Sequence, residues 1–189
     1  MKEIQEQRIR QYFVEACKTL IRGEGIQAVS ARTIAEEAGY SYATLYNYFK
    51  DIKELVGICV DEFIAEARDY VLSQKIADSG RDGIFRKVQC FARYYLQYPG
   101  VFHAVFTEDI RELRTPQSFK EKLDAVFEDL LAEDFKSLGQ SPEKTSVQIE
   151  LLKLSTYSML LLYLNRRCPP EYKDFTAYFE QTINSIIER

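Results

Sequence analysis

Apolar residues return every three or four positions along almost the whole chain, and no segment sustains the two-residue alternation of a half-buried strand. Ile9, Phe13, Ala16 and Leu20 are spaced four, three and four apart, which lines them along one face of a first helix. The same period recurs in Leu55, Cys59, Phe63 and Tyr70, in Ile84, Val88, Phe91 and Tyr95, and in Phe119, Leu123, Phe127 and Leu130. A pattern with this period cannot keep one face buried as a strand, so the expected class is all-α. Only eight glycines and five prolines in 189 residues fit long helices better than a turn-rich β fold.

The breaks in the pattern divide it into about nine helices. Gly23 and Gly25 end the first. Ser30 is the expected N-cap of a short second helix with Ile34, Ala35 and Ala38 on its apolar side. Gly39 ends that helix, and Ser41 caps a third that reaches about Phe49. Asp51 followed by Glu54 starts a long fourth helix with a capping-box-like pair. Ser79 to Gly83 reads as a loop, the fifth helix stops before Pro99-Gly100, and a sixth runs from Val101 to near Leu113. Thr115-Pro116 and Ser141-Pro142 start the seventh and eighth, Gly139 closes the seventh, and Pro169-Pro170 separates the eighth from the ninth.

The formal net charge of −4 excludes a chain that coats nucleic acid through bulk electrostatics. Residues 1–55 are neutral, with eight Lys or Arg against eight Asp or Glu, so any affinity for DNA must come from local geometry and from pairing two copies. Four scattered cysteines without a Cys-x-x-Cys, and the single histidine His103, point away from a zinc site. The polar start has no signal-peptide core, and the longest apolar run, Met159 to Leu164, is far too short for a bilayer. The expectation is a cytoplasmic protein with no metal and no cofactor. Enzymatic chemistry is not expected either, because the chain has no Ser-His-Asp or Cys-His set, no metal spacing and no Gly-rich phosphate loop.

Two short helices joined through Gly39, in a chain otherwise made of long ones, have the form of a helix-turn-helix. The stretch from Ser30 to Leu55, SARTIAEEAGYSYATLYNYFKDIKEL, resembles the N-terminal signature of the TetR family of transcriptional regulators. The positions that carry the resemblance are Gly25, Ser30, Ile34, Ala35, Ala38, Gly39, Ser41, Thr44, Leu45, Tyr46, Phe49 and Leu55, together with Ile9, Leu20 and Ile21 upstream. They cover roughly the first third of the chain; the later helices agree with the family in number and length.

In such a unit the first helix crosses the DNA backbone and the second enters the major groove. Ile34, Ala35, Ala38 and Leu45 are small or apolar and suit the contact between the two helices. Ser41, Tyr42, Ala43, Thr44, Asn47 and Tyr48 occupy the start and exposed sides of the third helix. Thr44 and Tyr46 match family positions that touch the DNA backbone, and hydroxyls suit phosphates. Asn47 is suited to adenine and the Ala43 methyl to a thymine methyl. Arg32, opening the second helix, has either guanine or phosphate within its repertoire. The competing role for Tyr46 and Tyr48 is packing. The family usually has lysine where this chain has Ile52; Lys53 is one residue on, about 100° further round a helix. Lys53 is then the remaining candidate for that phosphate.

The resemblance implies that residues 1–50 bind DNA and that residues 51–189 form a helical domain for dimerisation and effector binding. The eighth helix has almost no polar side from Leu151 to Leu164, which demands burial all round. The expected homodimer face comprises Leu152, Thr156, Met159, Leu160 and Tyr163 of the eighth helix with Phe175, Phe179, Ile183 and Ile186 of the ninth. An effector pocket for a small apolar or aromatic molecule is expected among Phe63, Phe91, Tyr94, Tyr95, Phe102, His103, Phe106, Phe127 and Tyr157, residues whose plainer role is core. The expected function is a repressor that binds a palindromic operator as a dimer and leaves it when a small molecule binds. The competing function is a DNA-bound adaptor or nucleoid-associated protein of the same fold, without induction.

Overall fold

The computed structural model describes residues 2–108, 116–167, 169 and 171–188. The order is α1 (Lys2–Glu24), a short 3₁₀ turn (Ile26–Ala28), α2 (Ala31–Ala38), α3 (Tyr42–Leu45), α4 (Ile52–Ser73), α5 (Gly80–Gln97), α6 (Pro99–Phe106), α7 (Pro116–Ser137), α8 (Pro142–Leu164) and α9 (Tyr172–Ile187). Nine α-helices and no strand are present among the described residues, so the all-α expectation holds. None of these helices is long and apolar enough to cross a membrane.

The chain forms two compact units, Met1–Ile64 with Tyr98–Phe119, and Ala65–Gln97 with Lys120–Arg189. The functional division expected at residue 50 concerns what binds DNA; the packing division instead places the start of α4 and all of α6 in the first unit.

In the first unit Phe13, Cys17 and Ile21 of α1 are fully buried, with Ile34, Leu45, Leu55, Cys59 and Phe63 beside them in the core. Phe13, Leu55, Cys59 and Phe63 are positions marked by helical spacing in the sequence; Cys17 and Ile21 lie one residue beyond the marked Ala16 and Leu20, which are also buried, whereas Ile9 is half-exposed. Lys18 is also buried, its ammonium 2.6 Å from Glu62 on α4 and 3.4 Å from Glu15. A buried charge without such partners would be strongly destabilising. The Cys59 thiol donates to the Val14 carbonyl at 3.7 Å. Its hydrogen bond with Cys17, followed by burial, pushes that thiol well above the usual cysteine range. Such a thiol behaves as a small core residue, since only the thiolate is reactive.

The second unit is organised round Phe91, Tyr95 and Phe127, with α8 and α9 packed on each other and on α5. Helix α5 begins at Gly80, inside the segment expected as a loop. The cause is Asp134 on α7, which accepts the Gly80 N–H at 3.1 Å and a hydrogen bond from the Lys87 ammonium at 2.7 Å. A Cβ at Gly83 would lie 2.7 Å from both the Asp134 carboxylate and the Asp78 carbonyl. That glycine serves close packing of a helix, not a turn. Helix α6 also starts earlier than expected, with Pro99 in its first turn, and ends at Phe106. Leu113, Thr115 and Pro170, which figured in the expected boundaries, lie outside the described residues, as does Cys168, one of the four cysteines.

Candidate nucleic-acid interface

Local side-chain chemistry explains why α2 and α3 are short and where each begins. The Ser30 hydroxyl accepts the Thr33 N–H at 3.1 Å, and the Thr33 hydroxyl accepts the Ser30 N–H at 2.9 Å. This reciprocal pair satisfies two amides at the helix start. Gly39 ends α2 in the left-handed conformation, φ +74°, which a residue with a Cβ adopts only under strain. The Tyr40 N–H then closes back on the Ala35 carbonyl at 2.9 Å. Ser41 restarts the chain by accepting the Thr44 N–H at 3.2 Å.

Helix α3 stops at Leu45, short of the expected Phe49. Beyond it the amides of Asn47 and Tyr48 bond three residues back, to Thr44 and Leu45, so the segment tightens into successive turns. Asp51 and Glu54 then start α4 as expected: Asp51 accepts the Glu54 N–H at 2.8 Å, and Glu54 accepts the Lys50 N–H at 2.8 Å.

The pair sorts its side chains cleanly. Ile34, Ala35 and Leu45 are buried between the helices and the body of the unit. Tyr42 and Tyr46 are 63% and 49% exposed, and Ser41, Ala43 and Asn47 are exposed with them. Thr44 is half-buried, its hydroxyl 2.8 Å from that of Ser41. Tyr48 takes the packing role: half-buried, its ring lies 6.1 Å from that of Phe13, whereas Tyr46 stays in solvent. Lys53 is exposed and Ile52 half-buried at the start of α4.

Further residues, absent from the sequence-based set, belong to this surface. Tyr12 of α1 is exposed and stacks on Tyr40 with ring centroids 6.4 Å apart. Arg10 lies over the Phe49 ring at 4.5 Å and reaches Glu54 at 3.4 Å. No sequence signal connects positions so far apart. Glu36 accepts from Arg32 Nε at 2.9 Å, and here the four-residue spacing on one helix was a usable signal. The hydrogen bond and charge of Glu36 raise the Arg32 guanidinium further above its already high range. An open groove of about 510 Å³ runs beside this pair, lined by Ala31, Arg32, Ala35, Glu36, Tyr40 and Tyr42.

The expected pocket residues fall into two groups. Phe63, Phe102, His103 and Phe106 belong to the first unit, with Phe63 and Phe102 fully buried and Phe102 4.9 Å from Phe106. The His103 ring lies 3.3 Å from the Thr107 hydroxyl. Phe91, Tyr94, Tyr95, Phe127 and Tyr157 come together in the second unit, with Phe91 between Phe127 at 5.0 Å and Tyr95 at 5.1 Å. Burial raises the Tyr95 and Tyr157 phenols well above the ordinary tyrosine range, so both are neutral hydroxyls near neutral pH. The Tyr94 hydroxyl donates to Glu66 at 3.1 Å.

Of the nine residues expected on the dimer face, Leu152, Thr156, Met159, Leu160, Phe175, Phe179, Ile183 and Ile186 are buried within the single chain, and Tyr163 is half-buried 4.5 Å from Phe175. They hold α8 and α9 to each other and to their own unit. The apolar surface left open is another stripe of α8: Val147, Leu151, Leu154 and Leu161, with Leu162 beside it. Period alone gave no means to tell the two stripes apart, because leucines occupy both.

Residues 13–57 match the family model described as bacterial regulatory proteins, tetR family. No curated protein matches the chain in sequence. Among solved structures, a TetR transcriptional regulator from Rhodococcus sp. RHA1 is similar at 18% identity, covering 98% of each chain with a TM-score of 0.68. A tetR-family transcriptional regulator from Streptomyces coelicolor is 16% identical over 94% of this chain and 80% of its own, with a TM-score of 0.70. A single-residue variant of TetR from Acinetobacter baumannii AYE, solved in complex with minocycline, is 15% identical over 93% of this chain and 92% of its own, at 0.64. At these identities the likenesses establish the shared fold. Residues 13–57 therefore match the tetR family of bacterial regulatory proteins, and the chain as a whole shares the all-helical fold of these solved structures.

Proposed function

We propose that this chain is a repressor that binds a palindromic operator as a homodimer and is released by a small-molecule effector. The observation that carries the reading is the sorting of α3: Leu45 is fully buried, while Tyr42, Ala43, Tyr46 and Asn47 are presented to solvent on a capped, rigidly seated turn of helix. Asn47 and Ala43 read base edges, Ser41, Thr44 and Tyr46 hold the backbone, and Tyr42, Arg32 and Lys53 complete the contact, while Tyr48 seats the segment against Phe13. A neutral DNA-binding segment makes the second copy essential, because one copy offers too little charge to hold DNA alone.

The open leucine stripe of α8 supports self-association, since a row of exposed large apolar side chains is seldom left in water. Two copies whose recognition helices lie about 34–36 Å apart meet successive major grooves. An effector that binds better to another spacing shifts the population and empties the operator. The aromatic cluster of Phe91, Tyr95, Phe127 and Tyr157, with neutral hydroxyls among the rings, suits an apolar or aromatic effector bearing one polar end. The minocycline-bound relative supports that class of ligand. A bacterial repressor meets its operator in the cytoplasm, which is where this reading places the chain.

The test selects duplexes from a random DNA pool with the full-length protein, then measures affinity for the recovered duplex. Asn47→Ala and Tyr42→Ala are expected to weaken it by roughly 5- to 100-fold, equivalent to about 1–3 kcal/mol for a base contact. Failure of the wild type to enrich any duplex, or unchanged affinity in both variants, would remove the reading.

A further inference from the structure

Glu36 is an acid on the surface that is to meet DNA, which by charge alone is the wrong sign for that place. Its geometry gives it a purpose. Its Oε1 accepts from Nε of Arg32 at 2.9 Å, one turn earlier on α2. Both side chains are largely in solvent, 85% exposed for arginine and 64% for glutamate, so the pair is not a core ion pair that folding requires. Nε is the inner donor of the guanidinium. Engaging it fixes the plane of the group and leaves the outer edge, Nη1 and Nη2, with no other partner among the described residues. That edge is the fork that meets two oxygens of one phosphate.

The surroundings say what would meet it. Arg32 and Glu36 line the 510 Å³ groove together with the rings of Tyr40 and Tyr42 and the methyl groups of Ala31 and Ala35. A mainly apolar lining that includes a guanidinium fits the deoxyribose and phosphate of one nucleotide better than the flat, donor-patterned edge of a base pair. We propose that Glu36 is a positioning residue that clamps Arg32 so that this groove takes a single sugar–phosphate unit of the operator strand, making Arg32 a register-setting backbone contact and not a reader of guanine. The inference rests on the DNA-binding reading above and chooses between the two roles open to Arg32 within it.

Charge and positioning make opposite demands, and that separates them. Glu36→Gln keeps an oxygen that can accept from Nε but removes the negative charge; Glu36→Ala removes both. If Glu36 positions Arg32, the glutamine variant binds the pool-selected duplex and a scrambled duplex of equal length more tightly by a similar factor, keeping the preference between them. The alanine variant loses preference about three- to tenfold, because loose complexes tolerate a wandering guanidinium and the registered complex does not. Arg32→Ala weakens both duplexes and lowers the slope of log K against log salt by about 0.9, as expected for one phosphate. Replacing phosphates one at a time by neutral methylphosphonates abolishes the effect of Arg32→Ala at one position only.

Equal behaviour of Glu36→Gln and Glu36→Ala would overturn the proposal, as would an Arg32→Ala protein that relaxes the preferred base at one position of a re-selected pool. A wild type that enriches no duplex instead removes the DNA-binding reading itself. Unchanged melting curves for the Glu36 variants confirm that the exposed pair contributes little to folding, so no outcome reduces to misfolding.

Discussion

Helix α3 is four residues long and α8 is twenty-three, yet each leaves bulky side chains in solvent, and the chemistry of what is left differs completely. Beyond its buried Leu45, α3 and the turn after it expose aromatic rings carrying hydroxyls, a carboxamide and a methyl. Helix α8 buries Leu152, Thr156 and Leu160 and exposes Val147, Leu151, Leu154 and Leu161, hydrocarbon with no hydrogen-bonding capacity. A partner of α3 must offer donors and acceptors; a partner of α8 need only exclude water. The first description fits a nucleic acid and the second a copy of the same stripe, because a two-fold axis sets like against like. Exposure alone therefore does not identify a partner, but exposure together with side-chain chemistry narrows it sharply.

The comparison is broken most easily on α8. Leu154→Glu with Leu161→Glu sets four carboxylates into a two-fold hydrocarbon contact, and each is costly to bury without a cation. Association should weaken on the order of a thousandfold, equivalent to about 4 kcal/mol, and sedimentation should find monomer. Helix content by circular dichroism should not change, since both positions are exposed in the single chain. A variant of unchanged mass would show that this stripe meets something other than a second copy. The companion change on the opposite stripe, Leu160→Ala, should leave association alone and destabilise the chain by about 2–5 kcal/mol through cavity formation. Urea denaturation measures it. If instead Leu160→Ala gives monomers of full stability, the assignment of the two stripes is reversed.

How far each region was legible in the sequence follows from where its deciding interactions lie. The starts of α2 and α3 were legible because Ser30, Gly39 and Ser41 act on amides within a few residues of themselves. The fate of Tyr48 was not, because it depends on Phe13, a residue of another helix. The beginning of α5 was misread for a similar reason: two glycines in a polar stretch look like a loop until Asp134 of α7 is seen to take the Gly80 amide and to leave no space for a side chain at Gly83. On α8 the period was plain but its phase was hidden, since Leu151, Leu152, Leu154, Leu160, Leu161 and Leu162 cover both sides. The helices that pack on one of those sides, α9 and α5 among them, decide which leucines are core. Local chemistry was readable and long-range packing was not.

The smallest effect tests that last distinction at two serines that look alike. Ser30 and Ser141 each cap a helix by accepting the N–H three residues on, at 3.1 Å from Thr33 and 3.3 Å from Lys144. The residue that supplies the N–H differs. Thr33 returns the bond, its hydroxyl accepting the Ser30 N–H at 2.9 Å and lying 2.7 Å from the Ala28 carbonyl, to which it donates. Lys144 carries only donors and has nothing to return. Ser30 is also half-buried, so water replaces the lost cap poorly, whereas Ser141 is exposed. Ser30→Ala should therefore cost about 1–2 kcal/mol and Ser141→Ala about 0.5, the two ends of the usual range for a capping serine. Hydrogen exchange at the Thr33 and Lys144 amides reads each helix start separately, which matters in a chain of two compact units that need not unfold together. Equal loss of protection at the two amides would mean that the returned bond adds nothing, and that the seating of α2 derives from Ile34 and Ala35 in the core and not from its cap.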